Sequence, residues 1–358
     1  MRKYLCLLIS LIFVISLVFT GCADQSIGVN NEPTILFTDD SGRTVEIPKI
    51  IERVVPCGKV AQMILCAVAP EKLCCLASDP TSSQIPFLDE AILKLPVTGQ
   101  LYGTGQLNLE ELIKSNPQVI IDFGDKKENI AKDLQEISDR IGIPVIFIEA
   151  TIDTYPDTFR KLGKLLNNEE HAEKLALYTE NVYKEALEAK NKIREEDRVS
   201  VMYTGGPEGL NCNAKGSLHC GVLETVGVDN AIVVPEISHK GGGNIISMEE
   251  LIKADPDIIL FEEGSCFADI KNNKYWQGLS AVKNNKYYEI PNGPYNFLSS
   301  PPSINQIIGV RWLGNLVYPD LYQYNMVDEV KKFINLFWHT DITDEQVQIM
   351  LKNSTFKE

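Results

Sequence analysis

The chain has 358 residues, of which 44% are hydrophobic and 23% are charged, a composition ordinary for globular proteins. At roughly 100–200 residues per domain, this length predicts about two domains. Acidic residues outnumber basic ones by 49 to 34, so the formal charge is −15. Such a chain lacks the broad basic surface that binds nucleic-acid phosphates, and we expect no nucleic acid among its partners.

The N-terminus has the pattern of an export signal. A short basic start precedes an uncharged apolar stretch over residues 4–20, and small residues follow. The stretch ends in Gly21-Cys22, which resembles a bacterial lipobox, although Phe19 stands where lipoproteins usually have leucine. An ordinary cleaved signal or an uncleaved anchor remains an alternative. The predicted segments are a signal peptide at 1–21 and a lipidated Cys22 with a polar tether at 22–34.

After the tether, helical and strand-like patterns alternate along the chain, which predicts an α/β protein. The elements expected before the middle of the chain are a hairpin at 35–47, a strand at 54–57, a helix at 60–68, a strand at 73–77, a helix at 128–141 and a strand at 145–148. A long helical region covers 156–194, with a restart near 167–169, and is long enough to bridge two lobes. The elements expected beyond it are strands at 199–204 and 287–290 and a helix at 303–317.

An internal repeat organises the chain. Residues 108–121 align with residues 247–260 at a constant offset of 139, with seven of fourteen positions identical. Each copy opens with a capping-box pattern, continues as a short helix stopped by proline, and enters a buried strand. The paired cap residues are Asn108 with Glu111 and Ser247 with Glu250, and the strands are 119–123 and 258–261. This predicts two lobes of related α/β build.

The cysteines indicate no metal motif. Seven remain once the signal and Cys22 are set aside, an odd number that cannot all pair internally. Cys66, Cys74 and Cys75 lie in apolar runs and are expected in the core. Cys212 and Cys220 flank a turn that contains glycine, and a disulfide between them is left open.

Several short motifs occur in a familiar order, and together they cover nearly all of the chain after the tether. They are 38–48, 52–55, 108–110 with Pro117, 168–173, 247–249 with 255–257, and 312–319. With them the chain resembles the substrate-binding lipoproteins of ABC importers, of the class that carries iron–siderophore complexes, haem and cobalamin. The resemblance implies two Rossmann-like α/β lobes, joined by one long rigid helix, with a ligand cleft between them. The expected domains are an N-terminal lobe at 35–155, a bridging helix at 156–195, and a C-terminal lobe with terminal helices at 196–358.

Ligands of α/β proteins bind beyond the carboxyl ends of strands, near helix N-termini. A glycine-rich loop precedes the helix of each repeat copy, at 100–106 and 239–244, where glycine lets the backbone approach a ligand closely. Ordinary surface loops are the alternative. The candidate ligand-binding residues are Tyr102, Thr104, Gln106, Tyr203, His239, Lys240, Asn244 and Tyr295. Lys215 and Lys240 are the cations near the second loop and favour an anionic metal complex.

Glu110 and Glu249 occupy matching positions in the two repeat copies, beside the capping glutamates. Their simplest role is to complement the helix dipole in the first turn, worth about 0.3–1 kcal/mol. In similar proteins the glutamates at these positions pair with arginines of the membrane permease. The resemblance therefore implies that these two residues contact an ABC permease dimer.

Catalysis is not indicated, and no cofactor is expected. The four histidines are scattered without a His-x-x-x-His pattern, and no nucleophile motif is present. The sequence predicts a protein outside the cytoplasm, lipid-anchored to the cell membrane, that captures a metal complex, most simply an iron chelate or a corrinoid, and delivers it to a permease. The alternatives are a protein of the same fold that binds molybdate, tungstate or a nickel chelate, a metalloenzyme or cofactor scaffold, and a sensor coupled to a surface partner.

Overall fold

Two larger sheets, here called the first and the second sheet, and a two-stranded hairpin organise the described residues. A computed structural model describes residues 33–101, 107–238 and 243–355. The strands are β1 (Thr34–Thr38), β2 (Thr44–Pro48), β3 (Val54–Pro56), β4 (Val119–Gly124), β5 (Val145–Glu149), β6 (Ser200–Gly205), β7 (Asn211–Cys212), β8 (Asp229–Asn230), β9 (Asn244–Ile245), β10 (Ile258–Phe261) and β11 (Tyr287–Glu289). The α-helices are α1 (Lys59–Val68), α2 (Glu90–Leu93), α3 (Leu109–Lys114), α4 (Ile130–Ile141), α5 (Tyr155–Leu166), α6 (Glu169–Lys190), α7 (Gly221–Val226), α8 (Met248–Ala254), α9 (Ser280–Lys283), α10 (Asn305–Val317), α11 (Met326–Trp338) and α12 (Asp344–Leu351).

The first sheet is parallel and has the order β3-β4-β5. Its central strand β4 begins with three buried apolar residues, as expected for a strand covered on both faces. The predicted strand at 73–77 exists only as single bridges. Leu73 bridges Val54 and Leu76 bridges Val97, so its residues pair with two different neighbours and no continuous ladder forms.

The predicted hairpin at the start of the fold is confirmed as β1 paired with β2. Its turn is closed by Asp39, whose buried carboxylate accepts a hydrogen bond from the Arg43 guanidinium at 2.8 Å. The same guanidinium donates to the carbonyl of Val145 at 2.6 Å, which fastens the hairpin to β5.

The second sheet has the order β11-β10-β6-β7-β9, with β8 paired to β6. Strands β11, β10, β6 and β8 pair in parallel with one another, whereas β7 pairs antiparallel with both β6 and β9. The first sheet is built from residues before 150 and the second from residues after 199, which agrees with the α/β fold that the repeat predicts.

Both copies of the repeat form the predicted helix and strand. Helix α3 leads to β4, and α8 leads to β10. Ser247 and Glu250 make the full reciprocal capping box. In the first copy the Asn108 side chain accepts from the Glu111 N–H at 3.1 Å, while the Glu111 carboxylate lies 3.6 Å from Lys114 Nζ.

The predicted helical region is two helices, α5 and α6, and the restart near 167–169 is confirmed. Asn167 adopts a left-handed conformation with φ of +53°, which ends α5 before α6 begins. Helix α6 has 22 residues and is therefore about 33 Å long. It ends at Lys190, before the predicted end at Arg194.

The C-terminal segment returns to the first half of the chain. Helix α11 packs against α1 and α6, and just beyond it the Thr340 hydroxyl donates to the Phe87 carbonyl at 3.3 Å. The Nε2 atoms of His171 and His339 lie 2.9 and 3.2 Å from the Ala67 carbonyl oxygen. The described residues from 35 onward form one compact unit. The lobe boundaries at 155 and 195 stay predictions.

Candidate functional site

A cavity of about 420 Å³, here called the first cavity, lies where β3 and β4 end. Its lining includes the first residues of α1, so the start of a helix lies beside it together with strand ends, as in many α/β binding sites. Gly124 closes β4 with φ of +149°, a conformation that favours glycine. A Cβ added there would meet nothing within 4 Å, so the backbone conformation, rather than crowding, requires glycine.

A buried thiol, Cys57, and a half-buried carboxylate, Asp122, meet in the lining of the first cavity. Burial raises the pKa of Asp122 to about 6, although hydrogen bonds from the Cys57 thiol and the Phe123 N–H oppose the shift. Burial and the neighbouring Asp122 raise the pKa of Cys57 well above its usual value, so this thiol is not a reactive thiolate. Asp122 is therefore the group of this pair that changes charge near neutral pH.

A second cavity of about 290 Å³ combines both halves of the chain. Its first-half lining is Thr81, Ser83 and Gln84, and its second-half lining is Glu262, Glu263, Asn292, Pro294, Tyr295, Asn296 and Ser300. Glu262 follows the end of β10, and the Asn292 amide donates to the Glu263 carboxylate. Side chains from distant parts of the sequence thus enclose one polar space.

A hydrogen-bond network fixes the position of Glu262, one of the residues that line the second cavity. The hydroxyl of the fully buried Tyr203 and that of Ser300, at 2.9 Å, both donate to Glu262 Oε1. Burial and the Glu262 charge raise the pKa of Tyr203, which keeps this hydroxyl protonated as a donor. His219 contacts the Ser299 hydroxyl next to this network, and burial lowers the pKa of this imidazole. Glu262 is therefore held in one position by neutral donors.

The structure describes three of the eight predicted ligand-binding residues and places each of them differently. Tyr295 lines the second cavity and stacks on Trp338 with ring centroids 5.4 Å apart. Tyr203 lies beneath the cavity as the partner of Glu262. The Asn244 side chain bonds the Ser238 N–H and the Glu236 carbonyl within its own loop. Five predicted residues lie outside the described residues: Tyr102, Thr104, Gln106, His239 and Lys240.

Sequence reasoning missed the carboxylates Asp122, Glu262 and Glu263 and the segment 81–84. A signal for the glutamates was present, because they follow a buried strand just as Asp125 follows β4. No comparable signal marks 81–84, since this exposed segment reaches the second cavity through the tertiary fold.

Glu110 and Glu249 lie in the first turns of α3 and α8, and both side chains are exposed. Their neighbours Glu111 and Glu250 are engaged with Lys114 and Ser247. Among the ion pairs found in the described residues, none includes Glu110 or Glu249. The two predicted permease contacts are thus available on the surface.

The cysteine predictions are resolved by the fold. Cys66, Cys74 and Cys75 are buried, as predicted. Cys212 and Cys220 are free thiols, so the open disulfide is not formed. Cys220 Sγ instead contacts the Asn213 carbonyl at 3.1 Å.

Neither a metal site nor a membrane-spanning helix is found in the described residues. No three His, Cys, Asp or Glu side chains in residues 33–101, 107–238 and 243–355 are placed to hold a metal ion together. Within the same ranges, every helix is too short or too polar to cross a bilayer. The predicted signal peptide and Cys22 lie outside these ranges.

The fold and the cavities at its strand ends define an α/β binding protein, and comparison with known proteins names its family. Residues 79–294, more than half of the chain, match the periplasmic binding protein family. The chain therefore belongs to that family.

Individual relatives agree with this assignment. The chain is similar to the Fe(3+)-citrate-binding protein of Bacillus subtilis, with 28% identity over 51% of this chain and 56% of the relative. The aligned region thus spans little more than half of that protein. A putative ABC transporter substrate-binding lipoprotein of the same organism is 23% identical over 84% of this chain and 95% of its own length. A solved ABC transporter solute binding protein from Sulfurospirillum deleyianum superposes with a TM-score of 0.81, at 28% identity, over 88% of this chain and 99% of that one.

Proposed function

We propose that this chain is a substrate-binding lipoprotein outside the cytoplasm, which captures a metal complex and delivers it to an ABC permease. The observation that supports it best is the second cavity, whose lining comes from both halves of the chain. A ligand held there touches both halves at once, so binding can report on their relative arrangement. The first cavity lies near the second, because Pro301 in the lining of the first directly follows Ser300 in the lining of the second.

The proposed ligand is an iron chelate or a corrinoid. Tyr295, Asn296 and Asn292 offer an aromatic face and amide groups, which suit a chelate with apolar rings and polar edges. The name of the Bacillus subtilis relative supports a ferric complex as one member of this class. Molybdate, tungstate or a nickel chelate is the alternative of the same fold.

Binding is tested by fluorescence of the purified protein. Trp338 stacks on the cavity residue Tyr295, so we expect its emission to change when a ligand enters. The probes are ferric citrate, ferrioxamine B, cyanocobalamin and molybdate. A saturable change with at least one metal complex supports the proposal, and its absence with all of them contradicts it. A Trp338→Phe variant is the control for assigning the signal.

Delivery to a permease is tested with the surface glutamates. We expect the double variant Glu110→Ala/Glu249→Ala to bind its ligand like the parent but to lose most uptake in cells, because each substitution removes one charge offered to the permease. The matched control is Glu169→Ala/Glu345→Ala, which removes two exposed glutamates from the first turns of other helices. If the control loses as much uptake, the effect belongs to the helix dipoles; normal uptake by the first variant contradicts the permease assignment.

A further inference from the structure

We infer that the ligand is a metal complex without net negative charge, neutral or cationic, rather than a polyanionic chelate or an oxyanion. The inference rests on the proposed function, because it takes the two cavities as the binding site. It concerns the charges that line them.

The second cavity is acidic. Glu262 and Glu263 line it, and no lysine or arginine is among its described lining residues. The first-half side of this cavity carries the neutral groups of Thr81, Ser83 and Gln84. A ligand in this space therefore meets two carboxylates with no lining cation between them.

The Glu262 carboxylate is built into the cavity. Its Oε1 accepts from Tyr203, which is fully buried and cannot move away, and from Ser300 at 2.9 Å. Neutral hydroxyl donors fix the position of the carboxylate, and no lysine or arginine lines this cavity among the residues that the structure describes. A bound anion would have to approach this fixed charge.

The first cavity has more carboxylates than cations in its lining. Asp122, Asp125 and Asp133 face Lys59 and Lys127. Lys127 Nζ lies 3.9 Å from Asp125 Oδ1, so part of its charge already serves this neighbour. At neutral pH, above the pKa of about 6, Asp122 is mainly ionised.

The charged residues of the two glycine-rich loops are too few to reverse the excess of carboxylates over cations. Residues 102–106 contain no charged side chain, and residues 239–242 contain Lys240 as their one permanently charged group. Five carboxylates then stand against three lysines at most. Lys215, which the sequence suggested as an anion partner, is exposed and is absent from the described linings of both cavities.

The excess of carboxylates in the lining should select against anionic ligands. Charges that line a concave site of low dielectric act strongly on what enters it, and like charges oppose binding. Sites for citrate-like groups or oxyanions need converging N–H donors, arginines or lysines. The described lining of the second cavity instead offers carboxylates, hydroxyls and amides, which suit a ligand that carries hydrogen-bond donors or positive charge.

The test compares the affinities of four probes at low and moderate salt. Ferrioxamine B is cationic, cyanocobalamin is neutral, and ferric citrate and molybdate are anions. We expect at least one of the first two to bind about tenfold or more tighter than either anion, with a preference that shrinks as salt rises. The double variant Glu262→Gln/Glu263→Gln keeps the hydrogen-bond acceptors and should reduce the cation-to-anion preference about tenfold.

Glu188→Gln is the matched control, because it removes an exposed carboxylate of α6 that lines neither cavity. It should leave the affinity ratio unchanged. Tightest binding of ferric citrate or molybdate overturns the inference while supporting the proposed function. An unchanged ratio in the double variant also overturns it. If none of the four probes binds, the proposed function fails and the inference fails with it.

Discussion

The two copies of the repeat form the same helix and strand, but the carboxylates at their strands have different hydrogen-bond partners. In the first copy, β4 carries Asp122, a half-buried carboxylate that accepts a hydrogen bond from a thiol. In the second copy, β10 leads into Glu262, a carboxylate fixed by two hydroxyl donors. Shared helices and strands thus place an acidic group at each sheet, while the surroundings give each group a distinct role. The two copies therefore share their packing and differ in the residues that form the candidate site.

The largest expected effect tests the shared packing. Leu112 and Leu251 are fully buried at equivalent positions of α3 and α8. We expect Leu112→Ala and Leu251→Ala each to lower the free energy of unfolding by about 2–5 kcal/mol, because each leaves a cavity in a packed core. Urea unfolding measures the loss.

The neighbouring residues provide matched controls for this pair. Ile113 and Ile252 are 59% and 52% exposed, so their alanine variants should stay within about 0.5 kcal/mol of the parent. A full loss at Leu112 with almost none at Leu251 would break the equivalence of the two copies.

The next effect concerns the carboxylate of the first copy. The pKa of Asp122 is about 6 in the folded protein, above its ordinary value near 3.9, so the folded state holds the proton more tightly. The stability that this group contributes is therefore present at pH 4 and is lost as pH rises through 6. We expect Asp122→Asn to raise the free energy of unfolding at pH 7.5 by up to about 3 kcal/mol, and to change it little at pH 4.

Thermal unfolding of the parent and Asp122→Asn at the two pH values measures this difference. Asparagine keeps the acceptor that faces the Cys57 thiol, so the comparison isolates the charge. An equal gain at both pH values would show that packing, rather than ionisation, causes the change.

The smallest expected effect tests the difference between the N-terminal caps of α3 and α8. Ser247 and Glu250 cap α8 reciprocally, while Asn108 caps α3 with one hydrogen bond. Replacement of Ser247 by alanine should cost about 1–2 kcal/mol, and replacement of Asn108 about 0.5–1 kcal/mol. Urea unfolding measures both, and Glu250→Gln, which preserves the reciprocal bond, is the control. A larger cost at Asn108 would contradict the difference between the caps.

Much of the framework could be predicted from the sequence. Buried apolar runs with helix caps before them predict α3–β4 and α8–β10, because their hydrophobic periods and capping residues are local signals. The strand-like pattern at 73–77 also predicts a strand, but no ladder forms there because its residues bridge two different neighbours.

The site was less accessible to sequence reasoning. Tyr203 follows the rule that ligands lie at strand ends, but its side chain turns into the core, where it bonds Glu262. Which way a residue at a strand end points depends on register and on neighbouring sheets, which one sequence does not reveal. The contribution of 81–84 comes from contacts between distant segments, and such contacts leave no local pattern.

The return of the C-terminal segment has a mechanical consequence. Helix α6 leads from the first sheet to the second, and α11 leads back from the second half to lie on α1. His339 and Thr340 fasten that return to the carbonyls of Ala67 and Phe87. Two sheets joined by two helical connections can rotate about the axis through both connections, but each connection opposes twisting about the other. We expect the two sheets to move as a stiff hinge with a small opening angle.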